Sequence, residues 1–213
     1  MNFSINQELK SYVEKEILPE YSKNDSGHNE NHVKLVLERA FELSENHDVD
    51  ENMIYTIVCY HDVACHVDRE KHEILSAERL YNDNNLKRFF TPEQLLVMKE
   101  AVEDHRASLE YTPRSIYGKI LSSADRKVDV FDYLKTSMFF HKKKFPEATD
   151  EEMIEHSYEF AIKKFGKNGY AVQKFYIEDK KYKAYLDELQ GLIDNRSEFE
   201  RRAREVLKKV REG

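Results

Sequence analysis

Four residues in this sequence have the types and the settings to hold a divalent metal ion: His32, His61, Asp62 and Asp125. His32 opens a stretch with helical apolar spacing. His61 and Asp62 stand side by side at the end of the apolar run Ile54-Tyr55-Thr56-Ile57-Val58-Cys59-Tyr60. Asp125 falls on an apolar helical face, after Leu121 and Ala124. A carboxylate buried without a partner is costly, and a metal ion supplies the compensation. Two imidazoles and two carboxylates form a mixed nitrogen and oxygen set. That set suits manganese, iron, cobalt, nickel or magnesium with water completing an octahedron, and zinc less distinctively. Water held on such an ion has a lowered pKa and attacks phosphorus readily, while the ion polarises a phosphoryl oxygen.

The segments that carry these residues are His32-Val33-Lys34-Leu35-Val36, Tyr60-His61-Asp62-Val63 and Ser123-Ala124-Asp125-Arg126. Their order and spacing resemble the HD superfamily of metal-dependent phosphohydrolases over roughly residues 25 to 135. A lone His-Asp dipeptide is a weak signal, whereas the elements in order, each on its own helix, are a specific one. The resemblance implies an all-α fold, and it implies His32, His61, Asp62 and Asp125 as the metal ligands. It also implies hydrolysis of a small phosphorylated substrate, with a nucleotide as the first candidate, by attack of metal-bound hydroxide on phosphorus. The alternative is a metal-binding sensor or scaffold module of the same fold without turnover. A third reading is di-iron oxygenase chemistry, which requires His72 and His105 as true ligands.

Further residues fall where members of that family place site groups. His72 and His105 match positions that bind a second metal in some branches and contact substrate phosphate in others. Phosphate contact is the role expected of them here, and exposed helix-end histidines are the competing reading. His28 precedes His32 by four residues and resembles the doubled arrangement of small pyrophosphohydrolases; it is otherwise a loop histidine. Arg126, Arg106 and Arg114 are the natural phosphate cations, because a guanidinium offers bidentate contacts; each could instead pair with nearby acids. Asp129 follows Asp125 by four residues, on the same face of one expected helix. There it would orient a ligand histidine, shuttle a proton or cap a neighbouring lysine. His66 and Asp68 read as surface residues bordering the pocket, and His47, His141 and His156 as solvated.

Helical spacing dominates the elements that must position these groups. Tyr12, Val13, Glu16 and Ile17 mark a first segment ending at Pro19, and the polar stretch 22–31 reads as a loop. Asp50 is a cap for a helix carrying Met53, Ile54, Ile57 and Val58. Thr91-Pro92-Glu93 is a strong helix start, a cap residue followed by proline at the first helical position. Pro113 fits the entry to one long helix through Ile116, Ile120, Leu121, Ala124, Val128 and Phe131. Thr149 and Asp150 open another that runs to Phe165, and the turn at Gly166–Gly169 breaks the pattern. That turn lacks the arrangement of a nucleotide-binding loop. From Tyr182 the chain is charged and amphipathic. Its aromatic and leucine stripe is either core or a partner-facing surface such as a homodimer contact.

Composition agrees with helices. Six glycines and four prolines in 213 residues leave little punctuation for the turns of a sandwich or barrel. The expected organisation is a single compact helical domain: an N-terminal helix over 1–24, a metal-binding core over 25–140 and a C-terminal helical extension over 141–213. A net charge of −7 argues against a nucleic-acid polymer as partner, since that needs a basic surface. Two cysteines, Cys59 and Cys65, exclude a disulfide framework. No run approaches the roughly 20 apolar residues of a membrane span, and the first residues lack the pattern of a signal peptide. The expected location is therefore cytoplasmic, with a small phosphorylated molecule and a divalent ion as ligands.

Overall fold

The computed structural model describes residues 4–25, 27–172 and 174–212. Among these there are helices and no strand, as the all-α reading requires. The chain forms two compact units, residues 1–125 with 176–178, and residues 126–175 with 179–213. No helix among the described residues is long and apolar enough to cross a membrane.

The first unit contains α1 (Gln7–Tyr12), α2 (Glu30–Ser44), α3 (Glu51–Tyr60), α4 (His72–Tyr81), α5 (Pro92–Glu103) and α6 (Ile116–Ala124). α1 continues through a π-helical turn (Val13–Ile17) and a 3-10 turn (Leu18–Lys23), so Pro19 changes the winding without ending the segment. α3 lies at the centre. Its residues Met53 to Tyr60 are all buried, and α2, α4, α5 and α6 pack around it. The start signals read from the sequence operate as physical caps. Asp50 accepts from the Asn52 amide, and Thr91 forms a reciprocal box with Gln94.

A buried carboxylate, Asp83, ties three of these elements together. It accepts from Tyr12 Oη at 2.6 Å and Tyr60 Oη at 2.7 Å, and it pairs with Arg79 Nη1 at 3.3 Å. Burial pushes the Asp83 carboxyl up, but the two phenols, the Asn85 amide and Arg79 outweigh it and hold it below its ordinary 3.8. A depressed carboxyl stabilises the fold fully above its ordinary value, and that contribution fades as the pH falls below it. Asp83→Asn is therefore expected to cost about 2 kcal/mol at pH 7. Urea unfolding of both proteins at pH 7 and at pH 3 would show the difference shrinking at the lower pH. A constant difference would remove the assignment.

The second unit comprises α7 (Val130–Lys144), α8 (Asp150–Phe165), α9 (Lys180–Asp194) and α10 (Arg196–Glu212). It has its own core, in which Tyr133, Leu134, Met138, Phe165, Leu189 and Phe199 are buried. Thr149 caps α8 in a reciprocal box with Glu152. Gly169 closes the turn after α8, where a Cβ would lie 2.4 Å from the Lys164 carbonyl oxygen, so only glycine fits. The stripe of Tyr182, Tyr185, Leu186, Leu189 and Leu192 is buried core.

Three expectations are corrected here. The single helix expected across 116–131 is two, α6 and α7, separated at 125–129. Ala124 belongs to the first core and Val130 to the second, so their continuous helical spacing joins two surfaces that serve different interiors. The division of the chain falls after Asp125 and not at 140, because all of α7 packs into the second unit. Finally, residues 126–213 carry a separate hydrophobic core, which a simple extension would lack.

Candidate metal centre

The first unit brings His32, the adjacent His61 and Asp62, and Asp125 together from three places in the sequence. His32 sits in the first turn of α2, whose cap Asn29 accepts from the His32 amide at 3.2 Å. His61 is the C-cap of α3 and is fully buried, with Asp62 beside it. Asp125 is the C-cap of α6, and its amide donates back to the Leu121 carbonyl at 3.0 Å. His32 Nε2 lies 3.3 Å from His61 Nε2 and 3.1 Å from Asp125 Oδ1. Asp62 Oδ2 lies 3.3 Å from His61 Nε2 and 3.7 Å from His32 Nε2.

A second set of donors faces the other oxygen of the same carboxylate. Asp62 Oδ1 lies 3.2 Å from His72 Nε2 and 3.6 Å from His105 Nε2. Those two ring nitrogens are 3.2 Å apart. His72 begins α4, and His105 follows α5 directly.

The orientation of three imidazoles is fixed in one way. His61 Nδ1 lies 2.7 Å from the Val58 carbonyl, His72 Nδ1 2.9 Å from that of Arg69, and His105 Nδ1 2.6 Å from that of Val102. Each carbonyl is three residues back. A carbonyl only accepts, so each Nδ1 carries the proton, and a neutral ring presents its bare Nε2 inward. This is the arrangement that orients histidine ligands of metals.

The carboxylates make this a pocket that favours positive charge. Burial pushes His61 down, but Asp62, Asp125 and the Val58 carbonyl outweigh it and raise the ring to about 9. Burial pushes Asp125 up, and His32 and His61 bring it down to about 2. Asp62 is likewise held well below the carboxylate range by His61, His105 and His72 against its burial. Asp62 Oδ1 is buried, and no hydrogen bond reaches it among the described residues. Ligand bonds of about 2.1 Å place neighbouring donors about 3.0–3.5 Å apart in octahedral or tetrahedral geometry. The shorter separations, 3.1–3.3 Å among His32, His61, Asp62 and Asp125 and 3.2 Å between Asp62 and His72, fall in that range, and the remaining ones of 3.6–3.8 Å lie just beyond it. Two groups of these residues would suit a divalent ion, His32 with His61 and Asp62, and Asp62 with His72 and His105.

The surroundings hold the centre in place. Tyr21 Oη donates to the Cys59 carbonyl and accepts from the Asp62 amide at 3.2 Å. Asn24 Nδ2 donates to the carbonyls of Asp62 and His28 at 2.9 and 3.0 Å, and its Oδ1 accepts from the His66 amide. Neither residue stands out in the sequence, because each acts through contacts nearly forty positions away. Asp104 is fully buried next to His105 and takes the Arg114 amide at 2.7 Å, the Arg114 guanidinium and the Tyr111 hydroxyl. Gly118 on α6 allows this close approach, since a Cβ there would meet Asp104 Cβ at 3.3 Å.

The remaining candidates fall out differently. His28 joins the cluster, with its ring 5.8 Å from that of His32. Asp129 and Arg126 belong to the second unit. Asp129 caps α7 by accepting from the Asp132 amide at 2.8 Å, so it shares no helix face with Asp125. Arg126 donates to the Lys174 carbonyl and lies over the Tyr182 ring at 5.0 Å. Arg106 is engaged by Glu73 and the Glu70 carbonyl, and Arg114 by Asp104 and Glu103. His141 and His156, expected to be solvated, stack on each other at 4.2 Å.

No family model matches this chain, and no curated protein matches it. One similar solved structure is a predicted HD superfamily hydrolase from an uncultured Thermotogales bacterium, 22% identical over 74% of this chain and 87% of that one, with a TM-score of 0.47. Among the described residues, helices gather a histidine, a His-Asp pair and a remote aspartate at their ends.

Proposed function

We propose that this chain is an HD-type metal-dependent phosphohydrolase acting on a small phosphorylated molecule, with a nucleotide as the first candidate. The observation that carries the reading is Asp62, whose two carboxylate oxygens face separate sets of imidazole nitrogens. With those imidazoles Asp62 would hold divalent ions, which when bound would supply an activated water and neutralise a phosphoryl group. The sequence assigned His72 and His105 to phosphate contact. Their inward lone pairs, aimed at the buried Asp62 Oδ1 at 3.2 and 3.6 Å, favour an ion-holding role instead.

The chain's own contribution is orientation. The carbonyls of Val58, Arg69 and Val102 hold the three rings with Nε2 inward. Asp125, about a quarter exposed, marks the side on which the centre meets solvent, while His61 and Asp62 form its floor. Substrate therefore approaches over His32 and Asp125.

Elemental analysis of the purified protein is expected to find about two divalent ions per chain. Phosphate release from a panel of nucleotides should require manganese, cobalt, nickel or magnesium and stop with a chelator. His105→Ala should reduce the ion count by about one, leaving the His32, His61 and Asp125 set occupied. Ions bound without turnover across the panel would favour a sensor or scaffold module, and no bound ion at all would end the proposal.

A further inference from the structure

Beside the metal centre, the loop preceding α2 and the turn preceding α4 meet in a corner built from Asp25, His28 and Arg69. Asp25 Oδ1 lies 2.8 Å from His28 Nδ1 and accepts from the Gly27 amide, while its Oδ2 takes Arg69 Nη1 at 2.7 Å. Arg69 Nη1 also lies 3.1 Å from His28 Nδ1, and Nη2 lies 3.5 Å from His28 Nε2. One ring nitrogen cannot donate to Asp25 and accept from Arg69 at once. In either state the corner presents more N–H groups than its one carboxylate can accept.

This corner adjoins the proposed ions. A ring nitrogen of His28 and a carboxylate oxygen of Asp62 lie within 4.8 Å of each other. The Arg69 side chain is about half exposed and that of His28 about a quarter, so both reach solvent at the rim. Asn24 fixes their relation by bonding the carbonyls of both His28 and Asp62. The three arginines expected from the sequence to meet phosphate are engaged elsewhere, and Arg69 was not among them.

We propose that Arg69 and His28 form an anion subsite for a second phosphoryl group, adjoining the one held by the ions, so that the substrate contains a phosphoanhydride. A guanidinium fork beside an imidazole matches a terminal phosphate, with charge-assisted and bidentate contacts. The inference rests on the hydrolase reading for the position of the first phosphoryl group. It concerns binding, however, and can be tested without turnover.

The test is titration calorimetry on the metal-loaded full chain with methylenediphosphonate, which cannot be hydrolysed at its bridge, and with methylphosphonate. The diphosphonate should bind at least about tenfold more tightly, a preference that Arg69→Ala removes. Ion content, measured in parallel, should be unchanged in the variant. Arg69→Lys keeps the charge but not the fork and should restore only part of the preference; it also serves if the alanine variant folds poorly. Equal affinities in the wild type, or an undiminished preference in Arg69→Ala, would overturn the subsite. Preference lost with Arg69 in a protein that hydrolyses nothing would keep the subsite and count against the hydrolase reading.

Discussion

Asp62→Ala is expected to abolish binding of both ions and to lower metal-dependent phosphate release by about a thousandfold or more. Asp62 belongs to both groups of imidazole donors. Removing it takes the carboxylate away from His72 and His105 and leaves Asp125 alone as the anion beside His32 and His61, too few donors to hold either ion tightly. The comparison with His105→Ala is what gives the prediction its force. If both ions depend on Asp62, the histidine variant retains about one ion and the aspartate variant retains none. Elemental analysis and phosphate release, run on the same preparations, read the two outcomes directly. An Asp62→Ala protein that still carried two ions would show that the carboxylate does not join them.

Arg114→Ala should be the most damaging change outside the donor set. Arg114 supplies the guanidinium that Asp104 accepts, and Asp104 is completely buried. Removing one partner of such a pair leaves an uncompensated charge inside the fold and costs about 3–5 kcal/mol. The lower end is expected, since the Arg114 side chain is 39% exposed and its amide still bonds Asp104. Denaturant unfolding measures that loss. Because Asp104 immediately precedes His105, the variant should also lose the ion held by His72 and His105 before the one held by His32 and His61. Loss of stability with both ions retained at full affinity would confine Arg114 to a purely architectural role.

The parts of this site that were legible in the sequence are those set by local chemistry. An uninterrupted apolar run must be buried, so the His-Asp pair that ends it had to lie at the edge of the core; the buried stretch Met53 to Tyr60 bears this out. Capping residues such as Asp50, Thr91 and Thr149 act within three residues, and their helices begin where the caps predict. The interruption at 125–129 was hidden because Val128 and Phe131 continue the spacing of Ile120 and Ala124. A helical period reports that a face is apolar and is silent on which core receives it. Asp129 was misplaced for the same reason. Tyr21, Asn24 and Arg69 could not be found by any spacing rule, since their partners are loop carbonyls and side chains distant in sequence.

The excursion of residues 176–178 into the first unit affects how this protein can be divided. Ile177 is buried in the first core, and Tyr176 packs against it, although fifty residues of the second unit precede them. A chain cut after Asp125 keeps every metal donor named above, yet it strips an isoleucine and a tyrosine from its own interior. The chain therefore passes between the two units three times, after Asp125, after Phe175 and after Glu178, so the second unit is not a simple tail. Recombination that exchanged it as a terminal module would leave a hole where Ile177 sits. Separate production of the donor-bearing half would need those three residues grafted back, or the hole filled by other means.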